Sequence, residues 1–203
     1  MQIEIKSASN NDLEINGGEC ERKISILEAL KMDEWDVITV QQVSQLSGMP
    51  ESYEPYLQQV VDYVREVCPM AQIYLHQTWA YEIDSKHGGF VNYHCDQKEM
   101  YERIVATTKE YAKRIGAKMI PTGEMIQKIR MELSEFDYQN GGISLCRDGF
   151  HLSWDYGRFA AAALWLRVLT GRKVQVEQFN DFDSEKVEKI LALVNTFEVS
   201  MRF

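Results

Sequence analysis

The order of apolar and polar positions between residues 36 and 120 predicts alternating strands and helices. Short β-branched or apolar runs at 36–41, 72–77 and 118–120 are typical of buried strands. Between them, apolar residues recur at helical spacing at 52–69 and 96–116. This rhythm is typical of a parallel sheet with right-handed crossovers. We therefore predict an α/β fold, a three-layer α/β/α sandwich with a mostly parallel central sheet and flavodoxin-like topology.

Small polar side chains mark where the predicted helices begin. Such side chains accept hydrogen bonds from the first free backbone N–H groups of a helix. The candidate N-caps are Ser52, Asp96 (with Glu99), Thr122 and Ser153. Beyond the third strand, the apolar pattern predicts helices at 122–133, 154–170 and 184–203, and Gly171 is expected to end the second of these. The helix at 154–170 is almost wholly apolar, which predicts burial on most sides.

Length and composition fit one domain over residues 1–203, with an atypical segment at 1–24 and a closing helix at 184–203. Acidic residues outnumber basic ones by 31 to 22, and no basic cluster is present, so nucleic acid is not an expected partner. The first residues lack the pattern of a signal peptide, and no run of about 18 apolar residues occurs. We expect a cytoplasmic protein without a membrane partner, unless the natural chain has a longer N-terminus.

The cysteines lie far apart, at positions 20, 68, 95 and 146, which favours free thiols over a zinc or redox motif. Four potential metal ligands do occur close together, namely His87, His94, Cys95 and Asp96. Their spacing fits no common zinc pattern, so we predict no metal and no other cofactor.

Polar and aromatic residues that follow the predicted strands are the first candidates for a ligand site, because ligands of open parallel sheets bind beyond the carboxyl ends of the strands. Here these residues are Gln41, Gln42, Ser44, Gln45, His76, Gln77, Trp79, Thr122 and Glu124. The aromatic residues Trp79, Tyr81, Phe90 and Tyr93 suit the wall of a sugar or acyl pocket, although core packing of at least half of them is the more ordinary expectation.

The sequence Cys146-Arg147-Asp148-Gly149-Phe150-His151 places an acid and an imidazole three residues apart on a turn before a predicted helix. A carboxylate that fixes the tautomer of a histidine and stabilises its charged form makes it a general base. The alternative is structural: Asp148 and His151 organise the turn and the start of the helix, where acidic residues are common.

The segment from Asp148 to Leu152 resembles the Asp-x-x-His block of SGNH (GDSL-type) hydrolases. Further similarity lies in four segments, at 35–42, 55–57, 76–81 and 147–151, within a resemblance that extends over about residues 25–175. The resemblance implies the SGNH-hydrolase fold, with Asp148 and His151 as catalytic residues. In that superfamily a Gly-Asp-Ser segment supplies the nucleophile, and a later Asn helps to bind the oxyanion.

This chain departs from the superfamily both at the nucleophile and at the Asn that helps to bind the oxyanion. Residues 1–30 contain neither Gly-Asp-Ser nor Gly-Asn-Ser, so the serine is not identified. Where the superfamily has this Asn, we expect the amide of Gln42 or Gln45 to donate to the oxyanion, while the structural alternative for Gln41 and Gln42 is hydrogen bonding to backbone groups of the loop. Ser44 and Trp79 are further candidates for substrate contacts.

Three other residues were considered as the nucleophile. Ser44 and Ser47 follow a strand, but neither lies in a Gly-x-Ser-x-Gly elbow. Cys146 is close to Asp148 in the sequence, yet a buried structural cysteine is the more ordinary interpretation.

Two functional hypotheses follow. The first is an SGNH-type ester hydrolase that acts on a small acyl ester, for example an acylated carbohydrate. The second is a non-catalytic or N-terminally truncated SGNH-like protein that binds a ligand or partner without turnover. A missing first strand would also expose a sheet edge, which residues 1–24 or a second copy in a homodimer would cover.

Overall fold

The computed structural model describes residues 11–15, 18–176 and 182–198, and side chains from Ile24 onwards. These residues form two compact units. The first contains the chain up to Ile38 together with Pro55–Ile73, and the second contains Thr39–Glu54 and the chain from Tyr74 onwards. One domain over 1–203 stays a prediction.

The first unit begins with a hairpin that the sequence pattern did not reveal. Strands β1 (Asn11–Ile15) and β2 (Gly18–Ile24) pair in antiparallel orientation, with an irregular register near Asp12 and Leu13. The short helix α1 (Ile26–Leu30) follows a capping box, in which Ser25 and Glu28 each accept a hydrogen bond from the backbone of the other.

Helix α2 (Tyr56–Val67) buries Val61 and Val64, as its apolar spacing predicted. The prediction that Ser52 caps this helix is wrong. Ser52 ends a separate 3-10 turn, and the helix starts only after Pro55, which has no N–H group to donate within a helix.

The central sheet has three parallel strands in the order β3 (Val37–Val40), β4 (Gln72–His76) and β5 (Lys118–Ile120). Tyr74 lies opposite Lys118, and His76 lies opposite Ile120. The predicted α/β fold, with helices flanking a parallel sheet, is confirmed.

Helix α3 (Gln97–Arg114) begins as predicted, because the side chain of Asp96 accepts a hydrogen bond from the backbone of Glu99. It packs against β5 and buries Met100 and Ile104.

Three helices follow β5: α4 (Thr122–Glu132), α5 (Tyr156–Thr170) and α6 (Ser184–Thr196). Two predicted caps are wrong. Thr122 is the first helical residue after Pro121, and α5 is capped by Asp155 rather than Ser153. Ser153 still accepts a hydrogen bond from the backbone of Gly157.

Gly171 ends α5 with a φ of 69°, as predicted for a glycine that terminates a helix. The last helix ends at Thr196, and positions 199–203 of its predicted range lie outside the described residues. Within the described part of the chain, no helix combines the length and apolar character needed to span a bilayer.

Candidate active site

The loop at 147–152 holds Asp148 and His151 in one tight turn. The backbone N–H of Arg147 donates to the carbonyl of His151 over 2.9 Å, and this closes the loop. Inside it, one carboxylate oxygen of Asp148 accepts from the backbone N–H groups of Phe150 (3.2 Å) and His151 (2.8 Å). Gly149 takes a φ of 85°, a conformation that side chains disfavour, so the turn requires glycine there.

The second carboxylate oxygen of Asp148 lies 2.7 Å from Nδ1 of His151. The side chain of His151 is 54 % exposed and that of Asp148 is 39 % exposed. Among the described residues, no side chain hydrogen-bonds Nε2 of His151. The imidazole is therefore oriented by a carboxylate through one nitrogen while the other nitrogen is open, which is the arrangement of a general base.

The Asp148 carboxylate is stabilised by its hydrogen bonds. Desolvation by burial acts to raise its pKa, but the hydrogen bonds from the His151 side chain and from the backbone N–H groups of His151 and Phe150 outweigh that effect. Together they lower the pKa of Asp148 to about 2. The carboxylate is consequently ionised at neutral pH.

Trp79, which follows β4, contacts this loop directly. Its indole N–H donates to the carbonyl of Phe150 over 2.7 Å. The ring of Phe150 packs against His151, with centroids 4.2 Å apart, and against His87 at 4.6 Å. Phe150 therefore contacts both Trp79, which follows β4, and the imidazole of His151.

The other aromatic residues of the predicted pocket wall have a different role. Tyr81, Phe90 and Tyr93 are almost completely buried and belong to one core cluster with Met100 and Ile104. This matches the more ordinary expectation of core packing. Of the four aromatic residues, Trp79 alone is partly exposed.

A buried ion pair beside the loop was missed by the sequence analysis. Glu82 (2 % exposed) and Arg130 (5 % exposed) are 2.9 Å apart. The backbone N–H of Glu82 donates to the carbonyl of Gly149 over 2.8 Å, and the hydroxyl of Ser144 donates to the Glu82 carboxylate over 2.8 Å. The pair therefore connects α4 with Ser144 and Gly149, which lie on either side of Asp148 in the sequence.

One signal in the sequence did point to Arg130. It lies four residues after Ile126 and next to Ile129, so it falls on the apolar face of α4. A charged residue on a buried stripe needs a buried partner of opposite charge. The sequence gives no comparable signal for Glu82, because it lies in a loop.

Ser44, Gln42 and Gln45 lie in the loop after β3, where the structure gives each a different environment. The hydroxyl of Ser44 is 2.9 Å from that of Tyr81. The amide nitrogen of Gln42 donates to the carbonyl and the hydroxyl of Ser52, which is the structural alternative for this residue. The backbone carbonyl of Gln45 accepts a hydrogen bond from the side-chain amide of Asn92. The oxyanion-binding roles of Gln42 and Gln45 stay predictions.

The ends of the three strands converge on His76, as expected for a parallel sheet. Its ring nitrogens lie 2.7 Å from the Gln41 side-chain oxygen and 2.9 Å from the Thr122 hydroxyl. Desolvation by burial lowers the pKa of His76 to about 4. With both nitrogens hydrogen-bonded and burial disfavouring the charged ring, His76 is poorly suited to act as a general base.

The other candidate nucleophiles are poorly placed. Burial raises the pKa of Cys146 to about 12, so its thiolate is not populated at neutral pH. Ser47 is buried, and its hydroxyl donates within its own loop. Cys68, Cys95 and Cys146 are free thiols, and the side chain of Cys20 lies outside the described residues.

Three of the four potential metal ligands make other interactions, and the fourth, Cys95, is an exposed free thiol. Nδ1 of His87 accepts from the backbone of Gly89, His94 pairs with Glu99, and Asp96 caps α3. In the part of the chain that the structure describes, no three His, Cys, Asp or Glu side chains are grouped to hold a metal ion.

The family described as "Domain of unknown function (DUF4886)" matches residues 6–197. The chain is similar to the crystal structure of a DUF4886 family protein from Bacteroides uniformis, with 34 % identity and a TM-score of 0.79, over 90 % of this chain and 70 % of that one. No curated protein matches the sequence.

Two further solved structures show smaller likenesses. One, from Slackia heliotrinireducens, is provisionally described as an SGNH hydrolase, with 19 % identity and a TM-score of 0.43 over 70 % of this chain and 66 % of that one. The other, from Parabacteroides merdae, is provisionally described as a GDSL-like lipase, with 17 % identity and a TM-score of 0.48 over 71 % and 62 %. Both descriptions name the superfamily that the sequence motifs resemble, but likenesses of this size carry no argument about activity.

Proposed function

The chain belongs to the DUF4886 family, and we propose that it is an SGNH-type hydrolase of small acyl esters in which Asp148 and His151 are the acid–base pair. One observation carries this proposal. A half-exposed imidazole is held through Nδ1 by an ionised carboxylate while its Nε2 is open. The resemblance of the Asp-x-x-His block to SGNH hydrolases supports the same assignment.

In this mechanism Nε2 of His151 removes the proton from a serine hydroxyl as the oxygen adds to the ester carbonyl. The tetrahedral intermediate then collapses, and the departing alkoxide takes the proton from Nε2 and leaves as an alcohol. Water then attacks the acyl-serine, and His151 again accepts the proton. When the second tetrahedral intermediate collapses, Nε2 returns this proton to the serine oxygen and the acid is released. Asp148 stabilises the imidazolium in both steps.

A fluorophosphonate probe tests the proposal, because it labels an activated serine without requiring the correct substrate. We expect one adduct by intact mass in the wild-type protein. The variant His151→Ala should lose both this adduct and the hydrolysis of small acyl esters. Peptide mapping of the adduct then identifies the serine.

The chain provides a matched control for the imidazole. His94 is also paired with a carboxylate, since its Nδ1 lies 2.9 Å from Glu99, but it is 79 % exposed at the start of α3. His94→Ala should label and hydrolyse like the wild-type protein. Equal loss in both variants, or no adduct on folded wild-type protein, would contradict the proposal.

A second candidate function is ligand binding without turnover. It is favoured by one observation: within the described residues, no hydroxyl or thiol hydrogen-bonds the imidazole of His151. Removal of a triad nucleophile leaves little catalysis. A protein of this kind would bind an acyl ester in a saturable manner, with loss of binding in Trp79→Ala, and would leave the ester intact.

A further inference from the structure

An exposed indole with two arginines lies next to the Asp148–His151 turn. Trp154 is 68 % exposed and directly precedes Asp155, the N-cap of α5. The guanidinium carbon of Arg158 is 3.7 Å from the centroid of its ring, and that of Arg147 is 4.6 Å from the ring. We call Arg147, Trp154 and Arg158 the arginine shelf.

The arginine shelf is connected to the candidate base through Arg147. The backbone N–H of Arg147 donates to the carbonyl of His151 over 2.9 Å. Its side chain donates to the carbonyl of Leu152 over 2.9 Å, and its Nε lies 4.0 Å from the Asp148 carboxylate. Trp154 itself follows His151 by three residues. The arginine shelf is therefore attached to the Asp148–His151 turn through Arg147.

Among the described residues, positive charge exceeds negative charge on the arginine shelf, because only Arg147 lies beside a carboxylate. Within the described residues, the guanidinium of Arg158 has no carboxylate partner. In the described part of the chain, the carboxylate close to Arg147 is that of Asp148, which already accepts hydrogen bonds from the His151 side chain and from two backbone N–H groups. This local excess of positive charge occurs in a chain with a net charge of -9.

We propose that the arginine shelf binds an anionic group of the substrate, a carboxylate or a phosphate. The planar guanidinium donates in parallel to two oxygens of such a group. Stacking on the indole holds the guanidinium in place before binding, so less side-chain freedom is lost when the anion arrives. The location of the arginine shelf as part of an active site rests on the proposed function, whereas anion binding by it does not.

Anion binding is measured first, without turnover. Adipate and inorganic phosphate are titrated separately into labelled protein while the indole N–H signal of Trp154, assigned with Trp154→Phe, is followed by NMR. We expect at least one of the two anions to cause a saturable chemical-shift change, and the dissociation constant to be about five- to tenfold higher in Arg158→Gln. Arg158→Lys should fall in between, because it keeps the charge but loses the planar pair of donors.

Arg114→Gln is the matched control. Arg114 also stacks on an aromatic ring, at 4.7 Å from Tyr111, and is 50 % exposed, but it is paired with Glu54. Its replacement changes the net charge equally and should leave the dissociation constant unchanged. The proposal is overturned if neither anion gives a saturable shift, or if Arg114→Gln weakens binding as much as Arg158→Gln.

Turnover then tests the link to catalysis, with monomethyl adipate and methyl hexanoate as a charged and a neutral ester of equal acyl length. We expect kcat/KM to favour the charged ester, and the ratio of the two values to fall about five- to tenfold in Arg158→Gln. Anion binding without hydrolysis of either ester would refute the proposed function and leave the arginine shelf intact. Hydrolysis with an unchanged ratio would refute the arginine shelf as a determinant of specificity and leave the proposed function intact.

Discussion

Replacing Glu82 by Gln removes the negative charge from the buried ion pair beside the Asp148–His151 loop. Arg130 would keep its hydrogen bond to the carbonyl of Ala80, but its Nε already has no partner among the described residues. Loss of one partner of a buried pair costs about 3–5 kcal/mol, because a buried charge is left uncompensated. Since whole domains are stable by about 5–15 kcal/mol, the loss is large but compatible with folding.

Urea unfolding followed by tryptophan fluorescence measures this loss, and Glu132→Gln is the control. Glu132 lies on the same helix as Arg130 but forms an exposed pair with Lys128. Exposed helical pairs of this kind contribute at most about 0.5 kcal/mol. A variant that combines Glu82→Gln with Arg130→Met removes both charges, so it should be more stable than Glu82→Gln alone.

Hydrogen exchange tests whether the pair supports the Asp148–His151 loop in particular. The backbone N–H groups of Phe150 and His151 bind Asp148, and they should exchange about tenfold or more faster in Glu82→Gln than in Glu132→Gln. The reasoning is refuted if the two variants lose equal stability, or if these two amides exchange at the wild-type rate in a destabilised Glu82→Gln protein.

Three further predictions concern the same region. Gly149→Ala should cost about 1–2 kcal/mol more than Gly141→Ala by urea unfolding: both have positive φ, but only at Gly149 would a Cβ meet the backbone of Ser85, at 3.1 Å. Because the pKa of Asp148 is lowered from 3.8 to about 2, the stability that its ionised form contributes is present above pH 4 and lost as the pH falls towards 2. NMR should show the two amides that it binds losing protection over that range, and unchanged protection at pH 2 would contradict this. Burial lowers the pKa of His76 to about 4, so protonation below pH 6.5 favours the unfolded chain. The free energy of unfolding, measured by urea unfolding at each pH, should therefore fall from pH 6.5 to pH 4.5. It should fall less in His76→Gln.

The elements that the sequence predicted well are those with strong periodicity. The strand at 118–120 has the predicted bounds, and α3 and α5 lie within the predicted ranges, with Asp96 and Gly171 at the expected ends. The hairpin of β1 and β2 was missed because β2 is mostly polar and the alternation in β1 extends only over residues 12–15. The wrong caps share one cause: a small polar side chain can cap a helix only where the local backbone permits it, and Pro55, Pro121 and Asp155 decided where three helices begin.

By itself the sequence determined the α/β fold and the Asp148–His151 turn, because both depend on local order: periodicity sets the strands and helices, and two residues three apart meet whenever a turn forms. Only the tertiary structure decided what surrounds that turn. Glu82 and Arg130 are 48 positions apart and meet because β4, its following loop and α4 pack together, and the same packing buries Tyr81, Phe90 and Tyr93 while Trp79 stays at the surface. Burial and long-range pairing depend on contacts between distant segments, and these contacts separate a core aromatic residue from one beside the Asp148–His151 loop.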